Sequence, residues 1–471
     1  MRPSSVRTGR RWIPLFSAAL LLFNGTARAA DLGDILLKKG LITEDDLAQA
    51  RQEDKQKAAA QESLRDAIAA KIPKWLEMIS LFGDVRNRVE GFYGNDYHAQ
   101  TRYRLRARFG LNANVTDEVS GTIRLASGNP NDPISYMQSL TNTFTRKPIN
   151  LDWAYVTLKP GKTFGLEPGW GQIVAGKFGV NLTRYSELVW DDDLAPEGAT
   201  ETLNLWEQRE GFYRSFRVNA LQWVMNDASA NNDSWIAGGQ AVVEAAIGST
   251  ANLTASFADY NFIDMNRVAA TYLSQYSDPA GTTSNSSFNS ALANSNDVVK
   301  NGSQIIGYET GFNIINFGSE LDFPNLFGLR IPAGLFGEVA HNTQASSRNT
   351  GVAIGVGIGR GQRDWYHDSL KNPGDWGMSY TWERVEKDAV VSLFSYSDFQ
   401  YQQNKTSQKG TTNVTGSIIR FDYELFTNFQ LTAKSMFINA LDRSIATTSN
   451  GKELIGNPTL TRLQLDMTLK F

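Results

Sequence analysis

Apolar and polar residues alternate along the chain from about residue 81 to its end. Successive side chains of a β-strand point to opposite faces, so this alternation predicts strands with one apolar and one hydrophilic face. The last strand is the most regular, because residues 462–470 place only hydrophilic side chains between its apolar ones. Those apolar residues, on which we expect membrane insertion to depend, are Leu463, Leu465, Met467, Leu469 and Phe471.

A soluble β-sandwich would show the same alternation, with the apolar face forming its core. Three details favour a membrane barrel instead. Several strands reach nine to eleven residues, the length that crosses a bilayer at a tilt. Tight turns such as 116–117 and 427–428 alternate with long polar segments such as 274–304. Finally, aromatic residues near strand ends suggest an interfacial girdle: Trp153, Tyr155, Trp376, Trp382, Tyr423 and Phe471.

The pattern therefore predicts an all-β protein, a transmembrane antiparallel β-barrel over residues 80–471. Counting candidate strands gives about 16, with 14 or 18 as alternatives, and an even number is expected for a single-chain bacterial barrel. A barrel of this size leaves a water-filled lumen rather than filling itself with side chains.

The N-terminal 79 residues differ from the rest. Residues 1–29 carry arginines, a short apolar run and Ala27-Arg28-Ala29, which predicts a cleaved secretory signal peptide. A retained signal anchor is the alternative. Residues 30–79 are rich in helix-forming residues, with few large apolar ones, and predict a short periplasmic α-helical segment. This segment could be a solvated arm, a plug, an envelope tether, or a coiled coil that joins subunits into a homo-oligomer.

Composition narrows the function classes. Removal of residues 1–29 takes away five arginines and no acid, leaving 41 basic against 49 acidic residues, so we expect no nucleic-acid partner. The chain has no cysteine, which excludes thiolate metal sites and a cysteine nucleophile. His98, His341 and His367 are isolated and lack metal-binding spacing. We therefore predict no enzyme activity, no metal and no cofactor.

Arginines occupy consecutive same-face positions of two neighbouring predicted strands. Facing lipid, these side chains would be very costly, whereas a watery lumen tolerates them. If the two strands form a hairpin, the six guanidinium groups line one basic wall of the pore. Local pairing of Arg86 and Arg88 with Asp84 and Glu90 is the alternative. The six arginines are Arg86, Arg88, Arg102, Arg104, Arg106 and Arg108.

An acidic segment between two strands is the candidate opposite wall. If residues 190–198 fold inward as a constriction loop, arginines and carboxylates would face each other and set the ion preference. Alternatively, this segment binds calcium or stays solvated outside. Its acids are Asp191, Asp192, Asp193 and Glu197.

The sequence resembles the putative porins of Gram-negative outer membranes. The matching stretches are residues 36–43, 83–88, 102–108, 151–156, 176–178 and 188–198. The resemblance covers about residues 31–200 and the C-terminal strand. It implies a barrel pore in the bacterial outer membrane, with substrates that are mostly unassigned in the family.

Together these features predict a porin that passes ions and small polar solutes by passive diffusion, biased towards anions by the arginines. We expect outer-membrane lipid around the barrel and recognition of the C-terminal strand by the barrel-assembly machinery. An envelope tether and a barrel enzyme remain alternatives.

Overall fold

The alternating segments form long antiparallel strands that close on themselves. In the computed structural model, sixteen strands of the described chain each pair with two neighbours, and the first pairs with the last. Because the sheet is closed, the backbone N–H and C=O groups of each strand have hydrogen-bonding partners on both sides. A sheet that spans a membrane needs this closure because lipid offers no hydrogen bonds. The strands are β1 Ile79–Tyr93, β2 Gln100–Asn114, β3 Val119–Ser127, β4 Ile149–Leu158, β5 Gly171–Lys177, β6 Glu197–Glu207, β7 Tyr213–Asn226, β8 Ser234–Ile247, β9 Ala251–Ile263, β10 Phe312–Phe323, β11 Ala333–Asn342, β12 Thr350–Arg360, β13 Trp376–Val385, β14 Val414–Phe426, β15 Phe429–Ala440 and β16 Leu460–Lys470.

The prediction of an antiparallel barrel of about 16 strands is thus confirmed. The structure describes residues 43, 45, 49, 52, 74–94, 99–141, 143–208, 210–227, 233–273, 294–302, 304–328, 331–361, 365–366, 370–402, 409–442 and 459–471. The predicted signal peptide and most of the predicted N-terminal helical segment lie outside these residues.

Other elements are short. The chain divides into two units, residues 1–77 and 78–471, and the first contains helix α1. No helix in the described ranges is long and apolar enough to cross a membrane. The helices that lie wholly within the described ranges are α1 Lys74–Glu77, α2 Met265–Val268, the π-helix Ala269–Leu273 and the 3₁₀-helix Leu326–Gly328. The short strands are Gln138–Ser139, Val298–Asn301, Gln304–Tyr308, Tyr401–Gln402 and Lys409–Gly410.

Connections differ between the two ends of the barrel. Turns as short as 248–250 and 427–428 lie at the end where β1 begins and β16 finishes, which we call the short-turn end. Longer segments such as 178–196 lie at the other end, the long-loop end. The last strand keeps its predicted orientation, since its apolar residues are 39–56% exposed on the outer face while Arg462 and Gln464 are buried inside.

Two segments of the long-loop end fold into the barrel: the 178–196 loop, between β5 and β6, and the 386–413 loop, between β13 and β14, of which residues 386–402 and 409–413 are described. The ring of Trp190 in the 178–196 loop lies 5.2 Å from those of Trp223 and Tyr260 on the barrel wall. Phe394 of the 386–413 loop lies 6.4 Å from Trp190.

The expectation of a hydrophilic inner face is therefore wrong for part of the wall. Inward residues of β7, β9 and β10, including Leu221, Phe262 and Ile314, are apolar and buried against the infolded loops. These strands need apolar residues on both faces because one contacts lipid and the other contacts the loops.

We predict that Trp190→Ala loosens the 178–196 loop. Loss of a fully buried Trp leaves a cavity and costs about 3–5 kcal/mol. We expect larger fluctuations of the open-channel current in planar bilayers and faster protease cleavage within residues 178–196. Trp382→Ala, which removes a Trp from the outer face, is the matched control. Unchanged current noise and cleavage in Trp190→Ala would contradict the packing.

Candidate pore constriction

The six predicted arginines share the inner face of the β1–β2 hairpin, and we call them the arginine wall. The strand register places Arg86 opposite Arg106 and Arg88 opposite Arg104. Their neighbours Val85, Val89 and Tyr103 are exposed on the outer face. The strand period of two thus places all six guanidinium groups inside the barrel.

Carboxylates on β1 stand at both ends of this wall. Asp84 Oδ1 lies 2.9 Å from Nη2 of Arg106, and Oδ2 lies 2.6 Å from Nε of Arg108. Glu90 Oε1 lies 2.6 Å from Nη2 of Arg102 and 3.5 Å from Nη1 of Arg104. Cross-strand pairs therefore replace the local pairing with Arg86 and Arg88 that we considered as the alternative.

The wall continues across the seam where β1 meets β16. Arg462 of β16 pairs with Glu90 at 2.8 Å, and Asp466 of β16 accepts a 2.7 Å hydrogen bond from Nε of Arg88. Asp398, in the 386–413 loop, pairs with Arg88 at 2.9 Å and with Arg462 at 2.7 Å. The Asp398 carboxylate thus pairs with one arginine from each of the two strands that meet at the seam.

The predicted acidic loop lies within the barrel. Asp193 is 3.6 Å from Nη1 of Arg106, and Asp192 pairs with Arg184 at 2.8 Å. Asp191 is buried and accepts backbone hydrogen bonds from Asp193 and Ser397, both at 2.7 Å. Calcium binding gains no support, since the described residues contain no group of three potential acidic, His or Cys ligands.

Glu197 does not belong to this acidic group, and its prediction as a constriction-loop acid is corrected by the structure. It is the first residue of β6, and its side chain is 63% exposed, beside Lys177 at 2.9 Å. The loop ends before Glu197, which therefore belongs to the barrel wall rather than to the constriction loop.

The loop carboxylates differ in acidity because their surroundings differ. Burial raises the pKa of Asp191 well above its ordinary value, and neighbouring Glu187 and Asp193 raise it further. Burial also acts to raise the pKa of Asp398, but Arg462 and Arg88 outweigh it and lower that pKa well below the ordinary value. The Asp398 carboxylate therefore stays ionised where the 386–413 loop contacts the arginine wall. Asp191, in contrast, becomes ionised only at higher pH.

Two adjoining cavities follow the arginine wall. The larger, which we call the vestibule, has a volume of about 1060 Å³ and opens towards the short-turn end, beside Asn114 and Lys470. The smaller, the narrow cavity, has about 120 Å³ and lies between the wall and both infolded loops. The two cavities share Arg86, Arg106, Asp192, Asp193 and Thr468.

The two cavities differ in charge. Among the described residues, the vestibule is lined by seven cationic side chains and three carboxylates, a formal excess of four positive charges. The narrow cavity is lined by five cationic side chains and six carboxylates and is almost balanced. The positive excess therefore lies in the vestibule, at the short-turn end, rather than in the narrow cavity.

Arg86 stands at the junction and is the least neutralised member of the wall. Its ion pair with Asp466 is long, at 3.9 Å, and its side chain is 27% exposed. Its Nε makes no hydrogen bond within the described part of the chain. Arg86 can therefore attract an anion that passes between the cavities.

Two aromatic residues lie elsewhere than the sequence pattern predicted, and several charged residues of the site were not predicted. Trp153 and Tyr155 line the vestibule rather than an outer girdle, because a bulge opposite Arg124 places Asp152 and Trp153 both inward. Asp398 and Lys434 of the narrow cavity were not identified. The alternation of β16 did signal the inward position of Arg462, but it could not indicate which loop carboxylate would reach it.

Solved structures of outer-membrane proteins resemble this chain at low sequence identity. For OprB of Pseudomonas putida, the TM-score is 0.50 at 11% identity, covering 84% of this chain and 96% of that chain. For an anion-selective porin from Comamonas acidovorans, the TM-score is 0.43 at 11% identity, covering 83% and 99%. For the channel DcaP of Acinetobacter baumannii, it is 0.40 at 13% identity, covering 83% and 97%.

These structural likenesses concern the fold alone. No sequence among the curated proteins matches this chain. The family model described as putative porin matches residues 92–447, about three quarters of the chain. With the closed barrel and its charged lumen, this match shows that the chain belongs to the putative porin family of outer-membrane channels.

Proposed function

We propose that the protein is a passive diffusion channel for ions and small polar solutes, with a preference for anions. The observation that carries this proposal is the charge of the vestibule, where seven cationic side chains face three carboxylates. Fixed charge along a water-filled path raises the local concentration of counter-ions and favours their passage.

The orientation in the membrane follows from the two barrel ends. Outer-membrane barrels place short turns in the periplasm and longer loops outside the cell. The vestibule would then open to the periplasm, and residues 30–79 would precede β1 on that side. The exposed apolar face of β16 is available to lipid and to the assembly machinery. Subunit association through the N-terminal helix remains a proposal on residues largely outside the described ranges.

We propose no catalytic activity. Nδ1 of His341 lies 3.0 Å from the hydroxyl of Thr350 on the neighbouring strand, an arrangement that a structural hydrogen bond explains. The other two histidines lie outside the described residues. Neither the enzyme nor the tether alternative gains a specific supporting observation.

We expect Arg86→Ser to weaken the anion preference. A unit charge about 6 Å from a passing ion in water contributes about 0.7 kcal/mol, roughly a threefold change in relative permeability. Reversal potentials in a salt gradient across a planar bilayer would measure this change. Arg348→Ser is the matched control, because Arg348 pairs with Asp297 at the long-loop end and lines neither cavity. A cation preference in the unmodified protein would refute the proposal.

We also expect the anion preference to increase as the medium becomes more acidic. When the pH falls through the raised pKa of Asp191, its carboxylate takes up a proton and the narrow cavity loses a negative charge. Ordinary carboxylates stay ionised above about pH 5, and Asp398 remains charged at still lower pH. Reversal potentials measured over a series of pH values above about pH 5 should therefore shift towards a stronger anion preference as the pH falls.

The shift should become smaller in Asp191→Asn and persist in full in Asp192→Asn, which removes the exposed neighbour that pairs with Arg184. If Asp191→Asn retains the full pH dependence, Asp191 is not the titrating group.

A further inference from the structure

We propose that the vestibule selects aromatic carboxylates, solutes that combine a flat ring with an anionic group. This inference rests on the proposed diffusion channel and names the class of anion that it favours. The basis is that a row of aromatic rings lines the same cavity as Arg86 and Arg108, the more exposed arginines of the arginine wall.

The aromatic row crosses the inner wall from β1 to the start of the 178–196 loop. Phe82 lies 6.3 Å from Trp153 between ring centroids, Trp153 lies 6.1 Å from Tyr155, and Tyr155 lies 6.2 Å from Phe178. Phe178 is fully buried, while Phe82, Trp153 and Tyr155 remain half-buried. These three rings therefore present apolar surface to the cavity, where an open channel wall would ordinarily be polar.

A glycine makes room for this row. The inward positions of β2 carry arginine as far as Arg108, and the next inward position is Gly110. A Cβ at Gly110 would stand 2.5 Å from the ring of Phe82, so only glycine lets that ring lie across β2. The arginine wall ends where the aromatic row begins, which places cationic and aromatic groups side by side.

Arg124 fixes Trp153 within the row. Its guanidinium carbon is 3.2 Å from the centroid of the Trp153 ring, a stacked cation–π contact. Asp152 accepts a 2.5 Å hydrogen bond from Nε of Arg124, and Tyr136 accepts one of 3.2 Å from Nη2. The ring is thus held in one orientation before any solute arrives, which lowers the entropic cost of stacking.

The cationic part of the site is Arg86 and Arg108. Their side chains are 27% and 20% exposed, more than those of the buried Arg102, Arg104 and Arg106. A carboxylate can therefore accept hydrogen bonds from them while its ring contacts the aromatic row. Aromatic stacking beyond simple area burial corresponds to roughly a three- to tenfold preference over a saturated ring of the same charge.

The chemistry favours aromatic acids over two other solutes. A neutral sugar would use the rings but leave the positive excess unmatched. An aliphatic carboxylate would match the charge but leave the apolar ring surface in water. Only a solute with both groups uses both features of the vestibule.

The test compares benzoate with cyclohexanecarboxylate as blockers of the chloride current through single channels in planar bilayers. The two anions share charge and approximate size and differ in ring flatness. We expect half-block by benzoate at a concentration roughly three- to tenfold lower. Phe82→Leu and Trp153→Leu should each reduce this ratio towards one, and Trp382→Leu, on the outer face, should leave it unchanged.

Phe82→Leu keeps the test decisive if Trp153→Leu fails to fold, because it leaves the contact between Arg124 and Trp153 intact. Equal block by the two anions in an anion-selective channel would overturn this inference and leave the proposed function standing. Lack of chloride preference in the unmodified channel would instead overturn the proposed function. Retention of the full benzoate preference in Phe82→Leu would overturn the assignment to the aromatic row.

Discussion

Charge compensation of the crowded guanidinium groups organises the inside of this barrel. Burying an ionised group costs free energy unless an opposite charge and hydrogen bonds accompany it. Strand carboxylates Asp84, Glu90 and Asp466 neutralise part of the arginine wall. The remaining partners come from the infolded loops, as Asp193 and Asp398. The positions of the infolded loops and the neutralisation of the arginine wall therefore depend on the same ion pairs.

Apolar packing determines the opposite side of the lumen. Trp190 and Phe394 of the infolded loops pack near Phe262 of β9, away from the arginine wall. Each loop thus has one apolar side against the barrel and carries carboxylates that reach the charged wall. The space left between them is narrow at the carboxylates and widens towards the short-turn end. The shape of the pore therefore depends on two loops, each of which contacts an apolar part of the barrel wall and the charged arginine wall.

The sequence predicted the fold and one wall of the site because both depend on local periodicity. Strand alternation has a period of two, so the positions of Arg86 and Arg104 relative to lipid followed directly from their neighbours. The acidic loop was predicted by composition, and Glu197 was wrongly included because composition does not reveal where a loop becomes a strand.

Long-range partners could not be predicted in the same way. Asp398 lies 310 positions from Arg88, and nothing near either residue indicates their contact. The apolar inner face of β7, β9 and β10 was also not predicted, because alternation cannot distinguish water from an infolded loop as the neighbour of an inward residue. The aromatic row required the bulge at Asp152, which shifts the side-chain parity within β4.

The seam between β1 and β16 gives the pore a built-in order of assembly. Arg88 comes from the first strand of the sheet and Arg462 from the last, and Asp398 contacts both. Until the two edges meet, these guanidinium groups have no common partner, and the 386–413 loop has no complete anchor. A half-assembled sheet thus lacks a complete narrow cavity, so this cavity forms only when the barrel closes.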